Sequence, residues 1–229
     1  RATVEGLLAH MDECGVDKAV IAPVATRPAQ VEQINDWTLS INHPRLIPFG
    51  AFHPHAPHKK REIKRLIDAG VRGIKLQPFF QGYMVDDPLL DRTMELIGSQ
   101  LVVLIHGGAE MMPLEEIPTT PQRLAKLVEK FPDVRFILAH LGGYALWDDA
   151  EKYLVGLPVM LDASTVFEFC SDEQILRIIR NHGPERIVWG SDFPWQPQSL
   201  GIAGLRRIGL TQGELDGILG GNLQHAVFD

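Results

Sequence analysis

Seven short apolar runs recur along the 229-residue chain, at 19–24, 46–52, 73–76, 101–106, 135–140, 159–162 and 187–190, and they begin 24 to 34 residues apart. Runs this short and this continuously apolar read as strands buried on both faces, which is the pattern of parallel sheets. The stretches between them (28–42, 57–69, 88–99, 121–131, 146–155 and 172–182), with a further one at 4–14 ahead of the first run, carry amphipathic helical spacing. Pro28, Pro57, Pro88 and Pro121 open four of them, at the first turn where a missing N–H costs nothing. Gly15 and Gly70 stand where a helix must end in a left-handed residue before the next strand.

Repeated strand and helix units of this length predict an α/β chain of the (β/α)8 TIM-barrel type, a single domain over 1–229. Seven runs are one short of eight and the chain opens on a helix, so the first strand is expected upstream of Arg1, the sequence here being N-terminally incomplete. A barrel missing one strand would expose unpaired backbone groups, and a second copy covering that edge, in a homodimer, is the alternative. A doubly wound open sheet is the competing fold, but no glycine-rich phosphate loop follows the first strand.

The charge balance, 22 Lys and Arg against 29 Asp and Glu, has no single-sign stripe and argues against nucleic acid as a partner. No apolar stretch reaches the roughly 20 residues a membrane helix needs. Cys14 and Cys170 are the only cysteines, without CxxC spacing, so a reducing, cytoplasmic setting is expected and a thiolate zinc site is not.

Three runs end in residues that bind metals or move protons: His106 in IHGG, His140 in ILAHLGG and Asp192 in WGSDFPW. Catalytic groups of barrels gather at the C-terminal strand ends, so these three are expected at one mouth. Imidazole and carboxylate are the usual ligands of catalytic zinc, which keeps one position open for water. Each histidine alone reads equally as a satisfied buried residue; the set of three argues for a site.

The ordered set IHGG, ILAHLGG and WGSDFPW, with GVRGIKLQP and ILGGN, resembles the amidohydrolase-related metal-dependent hydrolases, relatives of aminocarboxymuconate semialdehyde decarboxylase, over 3–228. The resemblance implies that His106 and Asp192 bind a divalent metal ion, zinc by expectation, together with a His-x-His pair from the first strand. It implies that His140 orients or deprotonates the attacking water or adds a ligand, and that Asp192 also shuttles a proton. No Asp-x-His-x-His opens this sequence; His53 and His55 have the spacing, but Pro54 and Pro57 make them a loop cluster.

Lys75 and Gln77 alternate onto one face, where Lys75 anchors substrate, bridges metals if carboxylated, or rests in a buried ion pair. The resemblance leads one to expect histidine where Gln77 stands. Arg27 either grips a substrate carboxylate or caps the next helix at the surface. Trp195, with Phe193 and Trp189, would wall an apolar pocket, though core packing explains Trp189 equally well. Asp86 and Asp87 before Pro88 read as a helix start. The leading activity is metal-dependent hydrolysis of a C–N, lactone or related carbonyl in a small molecule. Nonoxidative decarboxylation is the alternative, and a barrel that only binds is the third.

Overall fold

The computed structural model describes residues 3–113 and 115–228. Its strands are β1 (Ala19–Ile21), β2 (Leu46–Pro48), β3 (Gly50–Ala51), β4 (Gly73–Leu76), β5 (Val102–Ile105), β6 (Arg135–Leu138), β7 (Met160–Asp162) and β8 (Ile187–Val188). All pairings are parallel and sequential: β1 with β2, then β3 through β8 in chain order. The helices are α1 (Val4–Cys14), α2 (Val31–Ser40), α3 (Lys59–Asp68), α4 (Pro78–Gln81), α5 (Asp91–Ile97), α6 (Pro121–Lys130), α7 (Trp147–Tyr153) and α8 (Asp172–His182), with α9 (Gln198–Arg207), α10 (Gln212–Asp216) and α11 (Asn222–Phe228) after the last strand.

The apolar run at 46–52 is thus split into β2 and β3 at Phe49, whose amide still donates to the Ile21 carbonyl at 2.8 Å. The break follows from packing. A Cβ on Gly73 would fall 2.4 Å from the Phe49 ring, so the glycine gives the phenyl group room inside the array. One half of the run then pairs toward β1 and the other toward β4. Among the described residues no strand pairing joins β8 to β1.

Alternation along the strands sorts side chains into two layers. Ile74, Leu76, Val103, Ile105, Phe136 and Leu138 point outward and pack with Leu66, Leu124 and Ile178 of the surrounding helices. Val20, Ile47, Phe49, Val102, Leu104, Ile137, Met160 and Val188 form a separate inner cluster with Leu223 and Val227 of α11. Arg135, at the start of β6, donates to the Ala226 carbonyl at 2.9 Å, which places α11 across the N-terminal end of the strands. Of the helices, α11 alone contributes to the inner cluster, and the residues that follow the strands make up the opposite, C-terminal end.

The expected helices appear, 4–14 and 172–182 with the bounds expected and the others shorter, and Gly15 and Gly70 take φ of 67° and 79°. The helices after β8 carry no clear mark in the sequence, because Gly201 and Gly204 break up the apolar spacing there. In the structure these glycines are the contact face of α9: a Cβ would fall 2.5 Å from Trp189 and 2.3 Å from Phe167 respectively. No described helix is long and apolar enough to cross a membrane.

Candidate active site

His106 and His140 follow β5 and β6 at the C-terminal end, both buried. His106 Nδ1 and His140 Nε2 face each other at 3.2 Å. The other nitrogen of each ring meets a backbone carbonyl, His106 Nε2 at 2.8 Å from Ala109 O and His140 Nδ1 at 3.1 Å from Ser164 O. A carbonyl only accepts, so those outer nitrogens carry the protons. Burial, above all, holds the imidazoles neutral: His106 is lowered to about 3, with His140 and Lys75 adding to the effect, and His140 to about 4, with Lys75 adding. Two lone pairs therefore converge across 3.2 Å with no proton between them.

Backbone geometry aims these rings. Glycines follow the histidines in IHGG and ILAHLGG, yet after β6 it is His140 and Leu141 that first adopt positive φ, of 60° and 53°. Such strain costs on the order of 1–3 kcal/mol per residue and persists where surroundings hold it. Trp147 does so here, its Nε1 donating to the His140 carbonyl at 3.1 Å.

Charged groups crowd the same mouth. Lys75 lies on the inner face of β4, in register with Leu104, and burial lowers its pKa against the opposing pull of Asp192, Asp162 and Glu110. Glu110 Oε1 is 3.3 Å from His106 Nε2 and accepts from Gln77 Nε2 at 2.6 Å. Burial first, then Asp192, pushes the Glu110 carboxyl up to about 7. Asp162, at the end of β7, is raised to about 6 by burial, with Asp192 adding and the Ser164 hydrogen bonds and Lys75 opposing. Asp192 itself is exposed, with φ of 55°.

The structure thus brings His106, His140, Asp192, Lys75 and Gln77 to one end, and adds Glu110, Asp162 and Ser164, for which the sequence alone made no case. Asp162 ends its strand as His106 and His140 follow theirs, so the same rule finds it. Glu110 carries no such signal, being a lone carboxylate in a loop. Arg27 is not drawn in: it is exposed, its backbone amide donates to Gln30 Oε1 at 3.0 Å, and it heads a short 3-10 turn at Pro28–Gln30. His53 is buried and accepts from the His55 amide at 3.1 Å through Nδ1, so it holds its own loop together. Asp87 caps Leu89 in the helix-start role expected of it, whereas Asp86 caps nothing and pairs with Arg123 of α6 instead. Trp195 is 79 % exposed at the rim and walls no enclosed pocket.

Among the described residues no three His, Cys, Asp or Glu side chains form a ready-made ion cage. The donor chemistry nonetheless fits a divalent cation. Neutral imidazoles with free lone pairs are what a metal requires, and carboxylates adjoin them.

A parallel α/β array with imidazoles and carboxylates at its C-terminal mouth defines the class of TIM-barrel metalloenzyme scaffolds. The chain belongs to the amidohydrolase family, whose profile matches residues 1–222. Among curated proteins no sequence matches it. Solved structures with the same fold include 5-carboxyvanillate decarboxylase from Sphingomonas paucimobilis, at TM-score 0.80 and 21 % identity over 98 % of this chain and 83 % of that one. The 5-carboxyvanillate decarboxylase of Novosphingobium aromaticivorans, complexed with manganese and 4-hydroxy-3-methoxy-5-nitrobenzoic acid, has TM-score 0.78 and 19 % identity over 96 % of this chain and 79 % of that one. The dihydroxybenzoic acid decarboxylase of Polaromonas sp. JS666, with manganese and 2-nitroresorcinol, has TM-score 0.74 and 17 % identity over 98 % of this chain and 85 % of that one.

Proposed function

We propose that this protein is a metal-dependent nonoxidative decarboxylase of small aromatic carboxylic acids. The observation that carries the reading is the pair of buried, neutral imidazoles whose lone pairs converge at 3.2 Å beside Lys75. His106 and Asp192 would hold a divalent ion, with the Glu110 carboxylate adjoining His106. That ion would supply charge stabilisation for the substrate's oxygens. Manganese is present in two of the similar structures, and the N and O donors here suit it as well as zinc.

Lys75 then faces the substrate carboxylate, a role the mouth needs because Asp162, Asp192 and Glu110 bring negative charge to the same space. As the bond between ring carbon and carboxylate breaks, its electron pair stays on the ring carbon, which takes up one proton while CO2 leaves. His140 Nε2 handles that proton: its lone pair takes one from solvent water and passes it to the ring carbon, which leaves the imidazole neutral as it began.

The rim favours an aromatic substrate. Phe80 follows β4, Met111 and Met112 follow β5, Phe169 follows β7 and Trp195 follows β8; all are exposed at the C-terminal end. Tyr144 sits between the catalytic layer and this rim, with ring centroids 5.9 Å from His140 and 5.5 Å from Phe169. Apolar groups lining the approach to a few polar ones are the usual form of a small-molecule site.

The test is CO2 release from a panel of hydroxylated benzoates by the full-length protein, dialysed against chelator and then given manganese. Release that requires added metal supports the reading. Metal-dependent hydrolysis of lactones or amides without CO2 release would replace it with the hydrolase reading that the sequence first suggests.

A further inference from the structure

Ser164, held by Asp162, meets His140 at Nδ1, the ring nitrogen opposite the one that faces His106. The Ser164 amide donates to Asp162 Oδ1 at 2.9 Å, and its hydroxyl donates to Asp162 Oδ2 at 2.8 Å. The carboxylate thereby takes the hydroxyl proton. Ser164 Oγ, 3.1 Å from His140 Nδ1, is left to offer that nitrogen only lone pairs, as does Ser164 O at the same distance.

We propose that Asp162 is a positioning residue for His140: by holding the Ser164 hydroxyl proton it keeps that hydroxyl from donating to His140 Nδ1, so that the Ser164 carbonyl retains the proton on Nδ1 and the lone pair stays on Nε2 at the mouth. The role rests on the reading of His140 Nε2 as the proton-handling atom. The local packing makes the arrangement specific. The chain after β8 crosses so close that a Cβ on Gly190 would fall 2.7 Å from Asp162 Oδ1, so a side chain at 190 would displace the carboxylate. The Lys75 charge favours the ionised carboxylate that both Ser164 donors require.

Asp162→Asn makes the consequence visible. The Ser164 amide can only donate, so the asparagine oxygen must face it, and the asparagine NH2 then takes the place of Oδ2. That NH2 donates to Ser164 Oγ, which frees the hydroxyl proton. The nearest acceptor left for it is His140 Nδ1. His140 then moves its own proton to Nε2, where it bonds to His106 Nδ1 and closes the gap between the rings. Ser164→Ala in the same background removes the hydroxyl but keeps the backbone carbonyl, so the double variant returns to the Nδ1–H form.

The experiment is nitrogen NMR of 15N-histidine-labelled, metal-free full-length protein at pH 8, with the His140 signals assigned by His140→Gln. The expected result is an unprotonated Nε2 in the wild type and in Ser164→Ala. Asp162→Asn should show a protonated Nε2, and Asp162→Asn/Ser164→Ala an unprotonated one again. In CO2 release the double variant should exceed the Asp162→Asn single variant by at least about tenfold in kcat, within the usual range of acid–base contributions. A wild type with its proton on Nε2 would overturn the proposal without any variant having to fold, and so would an Asp162→Asn protein with the wild-type tautomer. The tautomer is read without substrate or metal, so these results stand apart from whether the protein is a decarboxylase.

Discussion

Two histidines that look alike in sequence have different neighbours in the folded chain. His106 has carboxylates on its side of the mouth, whereas His140 faces Ser164 at its back and Tyr144 at its flank. His106→Ala should therefore lower metal content and turnover together. His140→Ala should keep most of the metal and cut kcat by roughly 10²- to 10⁴-fold, the usual worth of positioned acid–base catalysis. Metal analysis and steady-state rates on the same preparations check both; equal metal loss in the two variants would make His140 a ligand. Asp192→Asn should damage both quantities, since an amide is a weaker ligand. These three residues are legible in the sequence because each stands at or just beyond the end of an apolar run. Glu110 is not, because its place beside His106 depends on the path of the loop after β5, which no local pattern specifies. Arg27 misleads for a simple reason: arginine has the right chemistry for a carboxylate, but its loop caps a turn and leaves it in solvent.

Among the elements, the loop that carries Glu110 is stitched to the loop after β6. The Gly108 amide donates to Thr119 O at 2.8 Å, the Thr119 hydroxyl to Gly108 O at 2.9 Å, and the Ala109 amide to Tyr144 O at 2.9 Å. Gly108 has φ of 92°, and a Cβ there would fall 2.1 Å from the Tyr144 nitrogen. Gly108→Ala combines left-handed strain with a backbone clash and should cost about 2–4 kcal/mol of stability. Denaturant unfolding measures it; a loss under about 1 kcal/mol would show that the two loops are not rigidly joined. The glycine and its turn are visible in the sequence, but the approach of a second loop is not. The helices from 28 to 182 are readable from their spacing and prolines. Those after β8 are not, since Gly201 and Gly204 serve close packing against Trp189 and Phe167, and packing partners distant in sequence leave no periodic mark.

For the molecule as a whole, the buried site sets how stability responds to acid. His106 and His140 are depressed to about 3 and 4 in the folded chain, so between those values and 6.5 the unfolded chain binds more protons and stability falls as pH falls. Asp162, raised to about 6, works the other way between about 4 and 6, because there the folded chain holds the extra proton. Glu110, raised to about 7, adds to Asp162, so the two carboxyls and the two histidines oppose each other between pH 7 and pH 5. Removing one histidine tips that balance: as pH falls from 6.5 to 5, the Tm of metal-free His106→Asn should rise relative to that of the wild type. The same pH dependence in both proteins would mean that His106 is not held neutral. The parallel order of the strands is legible from run spacing alone. The split at Phe49 is not, since it depends on the space left by Gly73 one strand away. Whether His106 holds an ion at this mouth is decided by the metal content of the dialysed full-length protein after incubation with manganese, beside that of His106→Ala. The expected values are one ion per chain in the wild type and less than about a tenth of that in the variant, because the substitution removes the imidazole ligand of the ion. Equal loading of the two proteins, or none in the wild type, would contradict a metal site at this mouth.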